Sequence, residues 1–462
     1  MLKYDQMRTK LYAIDKQFRW LKWPPVFTFS LVFILFLLLS YGNLDPDFGW
    51  HLASGDYFVN HGIPNKDIFS YTASDFHWIN HEWLSDILIY YIYSLGGYIS
   101  LAFLYAGLWT LAFYLVGRKI YGPIVLLAVL AVLPFAGIRA VTWTVIFSAL
   151  IYFIIFAKDI RYRIILPIVF LAWVNIHGSF LIGLLLLGYW AVTKQSKSLA
   201  IILVVSFALS FLNPYGYNIY TEIFRTMTDS SLRWTISEWL PVGDVWQTIG
   251  YVGVWAAGFL VLIANKWRSY LQIDFLLFMA AQSSIRHYPI FVILSLPYSY
   301  LYSNELIKRM PKKLKFNQLI VSYLLIGLIT TISIWGLYSM NIFNLDRESK
   351  YPSEIVSYLK NKPCNGNIFN EYNIGGYLIW KLPEQKVYID GRMPSWELNG
   401  RKYMSDYLRF FDDKDFRNQQ IQEYNIGCII IKSKNNETMI DDLKNNGWNN
   451  PINYRSYIII EK

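Results

Sequence analysis

The stretch DPDFGWHLASGD, residues 45–56, lies two residues beyond VFTFSLVFILFLLLSYG (26–42), an apolar run long enough to be a membrane helix. It sets Asp45 and Asp47 two positions apart and puts His51 four residues after the second carboxylate. A lipid-facing helix needs no such cluster. The junction therefore reads as the mouth of a first membrane span, with chemistry held at its outer end.

Composition agrees. Of 462 residues, 55% are hydrophobic and 18% aromatic, and only 16% are charged, where a soluble domain carries about 25%. Apolar blocks recur at 26–42, 98–117, 121–138, 141–157, 164–176, 180–193, 199–212, 250–265, 270–285, 288–303 and 318–340. They predict a polytopic α-helical membrane protein of about eleven spans. The short blocks between 121–157 and 164–193 suit tilted or partly re-entrant segments. The first run lacks a small-residue cleavage site and is expected to stay as a signal-anchor.

Basic residues between the blocks fall mainly on one side. Twenty, from Lys3 in the N-terminal segment to Lys315, alternate with only five on the other side: Lys66, Arg139, Arg225, Arg233 and Arg286. The excess marks the cytoplasmic face. It predicts a cytoplasmic (inner) membrane protein with its N-terminus inside and its C-terminal region outside. The net charge of +10 then orients the chain and calls for no nucleic-acid partner. All six histidines, at 51, 61, 77, 81, 177 and 287, fall on the outer side. Titratable groups gathered at one membrane face mark where chemistry is to be sought.

The division expected is a transmembrane domain over 1–344, with its first outer loop at 43–97, and an extracytoplasmic domain over 345–462. In the loop, Pro46 fixes the chain between the carboxylates. One helical turn from Phe48 would align Asp47 with His51, and Asp47 at the N-cap is the structural alternative to a catalytic role. NHEWLSD (80–86) adds His81 and Glu82, which also read as an acidic helix start. The last domain alternates strands (366–370, 386–390, 427–432) with helices (352–361, 401–411, 414–424, 437–446) and ends in a hairpin. That order predicts a small α/β domain with a mainly parallel sheet. The loops EYNIGGY and IDGRMPSWE would bring Asn373, Tyr377, Asp390 and Arg392 to one crevice, or pair Asp390 with Arg392 in a structural salt bridge. Cys364 and Cys428 read as isolated buried thiols, or as a disulfide if the domain faces an oxidising compartment.

A first span, an acidic pair at its outer end and a long first outer loop resemble the GT-C glycosyltransferase superfamily. DPDFGWHLASG and NHEWLSD resemble more narrowly a bacterial group of GT-C-like membrane proteins. WVNIHGSFLIG (173–183), LNPYG (212–216), SEWLP (237–241), SSIRHYPI (283–290) and YNIGGYLIWKLPEQKVYIDGRM (372–393) fit the same group. The resemblance implies transfer of a hexosyl or pentosyl group from a polyprenyl-phosphate-linked donor to a glycan, lipid or protein acceptor outside the cytoplasmic membrane. Asp45 or Asp47 would be the base that takes the acceptor proton. The alternative is that the pair holds a divalent cation, Mg²⁺ or Mn²⁺, with His51 as a further ligand. Arg139, Arg286 with His287, or Arg233 in the 213–249 loop would meet the charge of the leaving lipid phosphate. His177 would line the cavity, and His51, His81 and Glu82 complete the expected substrate-binding set. A lipid-linked glycan polymerase or ligase would use the same carriers. A flippase is the competing class, although it should hold charge near the midplane, where these blocks carry almost none.

Overall fold

In the computed structural model, residues 25–118, 120, 123–230, 232–241, 272–309, 348–434 and 436–462 are described. The expected spans at 250–265 and 318–340 lie outside them. The chain divides into two units. One comprises residues 1–43, 101–216 and 233–345; the other gathers 44–100, 217–232 and 346–462. The first outer loop thus folds with the C-terminal region, although more than two hundred residues separate them.

Among the described residues, the first unit is helical along its apolar runs. Pro25–Gly42 and the long helix Trp83–Gly117, whose second half enters this unit, are long and apolar enough to cross a membrane. The long helix breaks at Gly96–Gly97, where Gly97 takes φ 66°. That is a conformation glycine adopts without steric cost, and the half beyond it matches the span expected at 98–117. Shorter apolar helices include Val141–Ile155, Phe180–Thr193, Lys197–Leu209 and Ile273–Ser283. The run at 121–138 is not one helix. It bends into a 3-10 turn at Leu133–Phe135, where Pro134 removes a backbone donor.

Large rings meet in the interior of this unit. Phe36 stacks on Trp109 at 5.1 Å and Phe147 on Trp173 at 5.1 Å. Gly183 lets the Trp173 ring lie where a side chain would otherwise stand. Leu185, Ile201 and Val204 point outward and exposed, as expected of helices whose solvent is lipid. The chain is a multi-pass, mostly helical membrane protein.

The second unit is built on a four-stranded sheet of β1 (Asn367–Asn370), β4 (Ile426–Lys432), β6 (Tyr457–Glu461) and β5 (Ile452–Tyr454), in that order. Glu397–Leu398 (β2) and Arg401–Lys402 (β3) form a separate small ribbon. Only β1 and β4 run parallel; β4–β6 and β5–β6 are antiparallel. The expectation of a mainly parallel sheet is corrected here. The two residues between β5 and β6 force a hairpin, which returns β6 against β4. The segment expected as a strand at 386–390 bridges the sheet only at Val387, between Ile368 and Ser70 of the first loop. The buried Asn370 side chain supplies the bonds a longer ladder would make: its Nδ2 donates to the Ile389 carbonyl and its Oδ1 accepts from the Tyr388 N–H, both at 2.8 Å. Helices Ser353–Asn361, Tyr403–Asp412, Lys414–Glu423 and Glu437–Asn445 match the expected ones within two residues. Cys364 and Cys428 form a disulfide, which corrects the reading as isolated thiols.

Helix Phe48–His61 crosses the short helix Gly375–Lys381 at a glycine contact. A Cβ on Gly49 would stand 2.0 Å from the Gly376 carbonyl oxygen, and one on Gly376 would stand 2.4 Å from the Pro46 oxygen. Neither helix can carry a side chain there. Gly49→Ala should therefore lower the thermal unfolding midpoint of the detergent-purified protein, at a cost of about 1–3 kcal/mol for overpacking. Gly107→Ala, which meets nothing within 4 Å, should leave the midpoint unchanged or raise it.

Candidate functional site

Asp45 and Asp47 sit in the turn that opens helix Phe48–His61. Asp45 closes that turn, its Oδ1 accepting the Asp47 N–H at 3.0 Å, the pattern of an Asx-turn. Asp47 stands at the N-cap position, but its backbone is already helical and its side chain makes no cap bond. The carboxylate turns instead to Trp50, whose indole Nε1 donates to Oδ1 at 3.0 Å. Beneath it lies Gly391 of the IDGR loop, where an added Cβ would fall 1.8 Å from Oδ1. The structural alternative of a capping Asp47 side chain does not hold. Tyr351 completes the surroundings: its hydroxyl donates to the Leu44 carbonyl at 3.0 Å, and burial, with the Asp45 and Asp47 charges, pushes the phenol well above its usual range.

His51 faces away from the acidic pair. Its Nδ1 lies 2.6 Å from Asp86 Oδ1, and its Nε2 lies 3.5 Å from Glu82 Oε2. Asn80 Nδ2 donates to the other Asp86 oxygen at 2.7 Å, and Asn80 Oδ1 accepts the Glu82 N–H. His81 approaches Glu82 more loosely, at 3.9 Å. Burial alone would depress the imidazole, but Asp86 beside it, by charge and hydrogen bond, with Glu82 and Asp47 adding, raises His51 to about 9. The Trp50 ring covers the imidazole at 3.6 Å between centroids.

Of the three candidate metal ligands, His51 does not fit that role. Both ring nitrogens of His51 are directed at carboxylates, and a protonated imidazole cannot ligate. Among the described residues no group of three or more His, Cys, Asp or Glu is arranged to hold an ion.

Asp390 and Arg392 are partners rather than crevice groups. Arg392 Nε and Nη2 donate to the two Asp390 oxygens at 2.8 and 2.7 Å, and Nη1 donates to Asp67 Oδ1 at 2.6 Å. The guanidinium is buried and lies over the Phe69, Trp78 and Trp396 rings. Two buried carboxylates and one cation join the first loop to the DGR loop.

The other candidates lie in the first unit. Arg139 Nη2 is 3.3 Å from Glu238 Oε1, in the short SEWLP turn. The next residue, Trp239, receives the Arg286 guanidinium 4.3 Å above its ring. The Ile285 N–H donates to the Leu240 carbonyl and Ser284 Oγ to that of Glu238. SEWLP thus ties both arginines into one cluster. His287 follows directly in the 3-10 turn Ile285–His287, its Nδ1 buried without a hydrogen bond. His177 belongs elsewhere, at the end of helix Leu166–Ile176. Its Nδ1 accepts the Ser179 N–H at 3.1 Å and lies 2.6 Å from Ser179 Oγ. Ser179 Oγ accepts in turn from Thr144 Oγ1 and Trp173 Nε1.

Sequence reasoning missed Trp50, Gly391 and Asp86 as site residues. Trp50 was within reach, because a residue three beyond Asp47 shares its helix face. Gly391 carried no signal, since its role depends on a contact between segments over three hundred residues apart.

No protein-family model and no curated protein matches the chain. Solved structures do share its fold. The oligosaccharyltransferase AglB from Archaeoglobus fulgidus, in complex with an inhibitory peptide and a dolichol-phosphate, superposes with a TM-score of 0.55 at 13% identity, covering 88% of this chain and 69% of that one. The apo form of the Archaeoglobus fulgidus oligosaccharyltransferase gives 0.53 at 14%, covering 90% and 70%. ArnT from Cupriavidus metallidurans, bound to undecaprenyl phosphate, gives 0.51 at 10%, covering 94% and 97%. At these identities the likeness is one of fold alone.

The His51 cluster carries a pH signature. Its pKa rises on folding from an ordinary 6.5 to about 9, so the stabilisation is complete below about pH 6.5 and is lost as pH climbs through 9. The unfolding midpoint should fall across that window by the equivalent of about 3 kcal/mol, and His51→Gln should flatten the dependence. A wild-type midpoint unchanged between pH 7 and 9.5 would show that the histidine is neutral.

Proposed function

We propose that this protein is a membrane glycosyltransferase that moves a sugar from a polyprenyl-phosphate-linked donor to an acceptor on the outer face of the cytoplasmic membrane. One observation carries the reading: the fold is shared with an AglB structure that contains dolichol-phosphate and an ArnT structure that contains undecaprenyl phosphate. The acidic pair beside the first span supports it, as does the scarcity of charge within the spans. Twenty basic residues against five support a cytoplasmic N-terminus. The disulfide supports a C-terminal region outside the reducing cytoplasm.

In this reading the acceptor hydroxyl oxygen forms the new bond to the anomeric carbon. The old carbon–oxygen bond breaks with its electron pair going to the lipid phosphate. Asp47, oriented by the Trp50 indole, takes the hydroxyl proton, with Asp45 as the second candidate. Arg286 meets the phosphate charge, with Arg139 and His287 in the same cluster. A strain lacking the protein should accumulate a polyprenyl-phosphate-linked sugar in its lipid extract. An unchanged profile would remove the reading, and accumulation of a longer lipid-linked glycan would favour a polymerase or ligase.

Asp47→Asn keeps the acceptor for Trp50 but removes the base, so transfer by the purified variant should fall by roughly 10²–10⁴-fold with folding intact. Asp45→Asn separates the roles: loss there with Asp47→Asn active would move the base to Asp45. Wild-type rates in both would leave the pair structural. Arg286→Ala should cost about 2.7–4 kcal/mol in the transition state, a hundredfold or more in kcat/KM. Unchanged kinetics would pass the phosphate role to Arg139 or Arg233.

A further inference from the structure

The helix Asn218–Thr228 in the second unit turns its polarity inside out. Its inward side holds Ile219 and the Glu222 carboxylate, and the half-buried Arg225 Nη2 donates to Glu222 Oε1 at 2.6 Å. The Arg225 guanidinium lies 4.9 Å above the Phe76 ring, and Thr226 Oγ1 is 3.4 Å from Ser395 Oγ. The outward side shows Tyr217 at 67% exposure, Phe224 at 55% and Met227 at 60%. Positions 217, 220, 221, 224, 227 and 228 recur every three to four residues and so share one face. They read Tyr, Tyr, Thr, Phe, Met, Thr, without a charge.

A helix against water does the reverse, burying its apolar stripe and exposing its ions. A lone exposed ring needs no explanation. An uncharged, largely apolar face opposite a buried Glu222 and a half-buried Arg225 does, because the same eleven residues could have presented both charges to solvent. The connection supplies the occupant. Eight residues separate this helix from the apolar helix Lys197–Leu209, whose Ile201 and Val204 are 65% and 67% exposed. Phe211 and Leu212, between the two helices, are also exposed. Apolar exposure therefore runs along the chain from a lipid-facing helix into this one, and tyrosines at its start suit the headgroup level.

We propose that helix Asn218–Thr228 lies flat on the bilayer surface with Tyr217, Phe224 and Met227 in the lipid. Its polar side then holds the Ser395 and Phe76 region at the membrane, as an interfacial helix does. The inference is independent of the glycosyltransferase reading.

The test uses the full chain in phosphatidylcholine–phosphatidylglycerol vesicles. Both native cysteines are bonded, so a single introduced thiol takes a fluorescent label alone. Phe224→Cys and Met227→Cys are compared with Ile201→Cys as the lipid control and Asp441→Cys, whose parent side chain is 71% exposed, as the water control. Lipids brominated on their acyl chains should quench positions 224 and 227 as strongly as 201, and iodide should quench only 441. Iodide quenching at 224 and 227 equal to that at 441 would overturn the proposal by placing the face in water. Protection from both quenchers would overturn it too, by showing that protein, either another segment or a second copy, covers the face.

Discussion

The absence of three side chains determines how the second unit is put together. Gly49, Gly376 and Gly391 let the DPDFGW turn, the GGYLIW helix and the DGR loop meet backbone to backbone. Any Cβ at these positions would fall on a carbonyl or on the Asp47 carboxylate itself. Asp47 is held between the indole of Trp50 and the bare backbone of Gly391, so its position is fixed from two sides. Motifs far apart in sequence belong to a single joint. Their residue types follow from the closeness of that joint as much as from any chemistry performed beside it.

Around this joint the same charge arrangement occurs twice. Arg392 stands between Asp67 and Asp390, and His51 stands between Asp86 and Glu82. Each cluster puts one cation against two carboxylates and leaves a buried excess of negative charge. Removing the cation from either would strand two anions out of water, which is far costlier than removing a surface pair. The clusters fix the loop 44–100 by directed bonds where an apolar contact would allow sliding. A carboxylate that is to hold an orientation needs that rigidity in its neighbours.

Local pattern carried most of the fold into the sequence. Apolar runs marked the helices of the first unit, and the helices of the α/β region were legible because their signals lie within ten residues. What stayed hidden depends on partners far along the chain. The strand expected at 386–390 gives way to the side chain of Asn370, sixteen or more residues earlier. His51 has the spacing of a ligand to Asp47, but Asp86, thirty-five residues on, captures its nitrogen. The acidic pair was legible as a place; the tryptophan and glycine that orient it were not. The pairing of Asp390 with Arg392 was legible because two residues in one turn meet without help, whereas the third member, Asp67, lies 325 positions away.

That separation bears on how the protein is made. Residues 44–100 leave the ribosome well before 346–462, the segment that completes their unit. At about 5–20 residues per second, nearly 250 intervening residues take on the order of 12–50 s to synthesise. Throughout that interval Asp67 has no Arg392, Val387 has not reached Ser70, and the face of helix Phe48–His61 around Gly49 has no Gly376. The loop must wait, open and bearing unpaired carboxylates, until that later segment arrives.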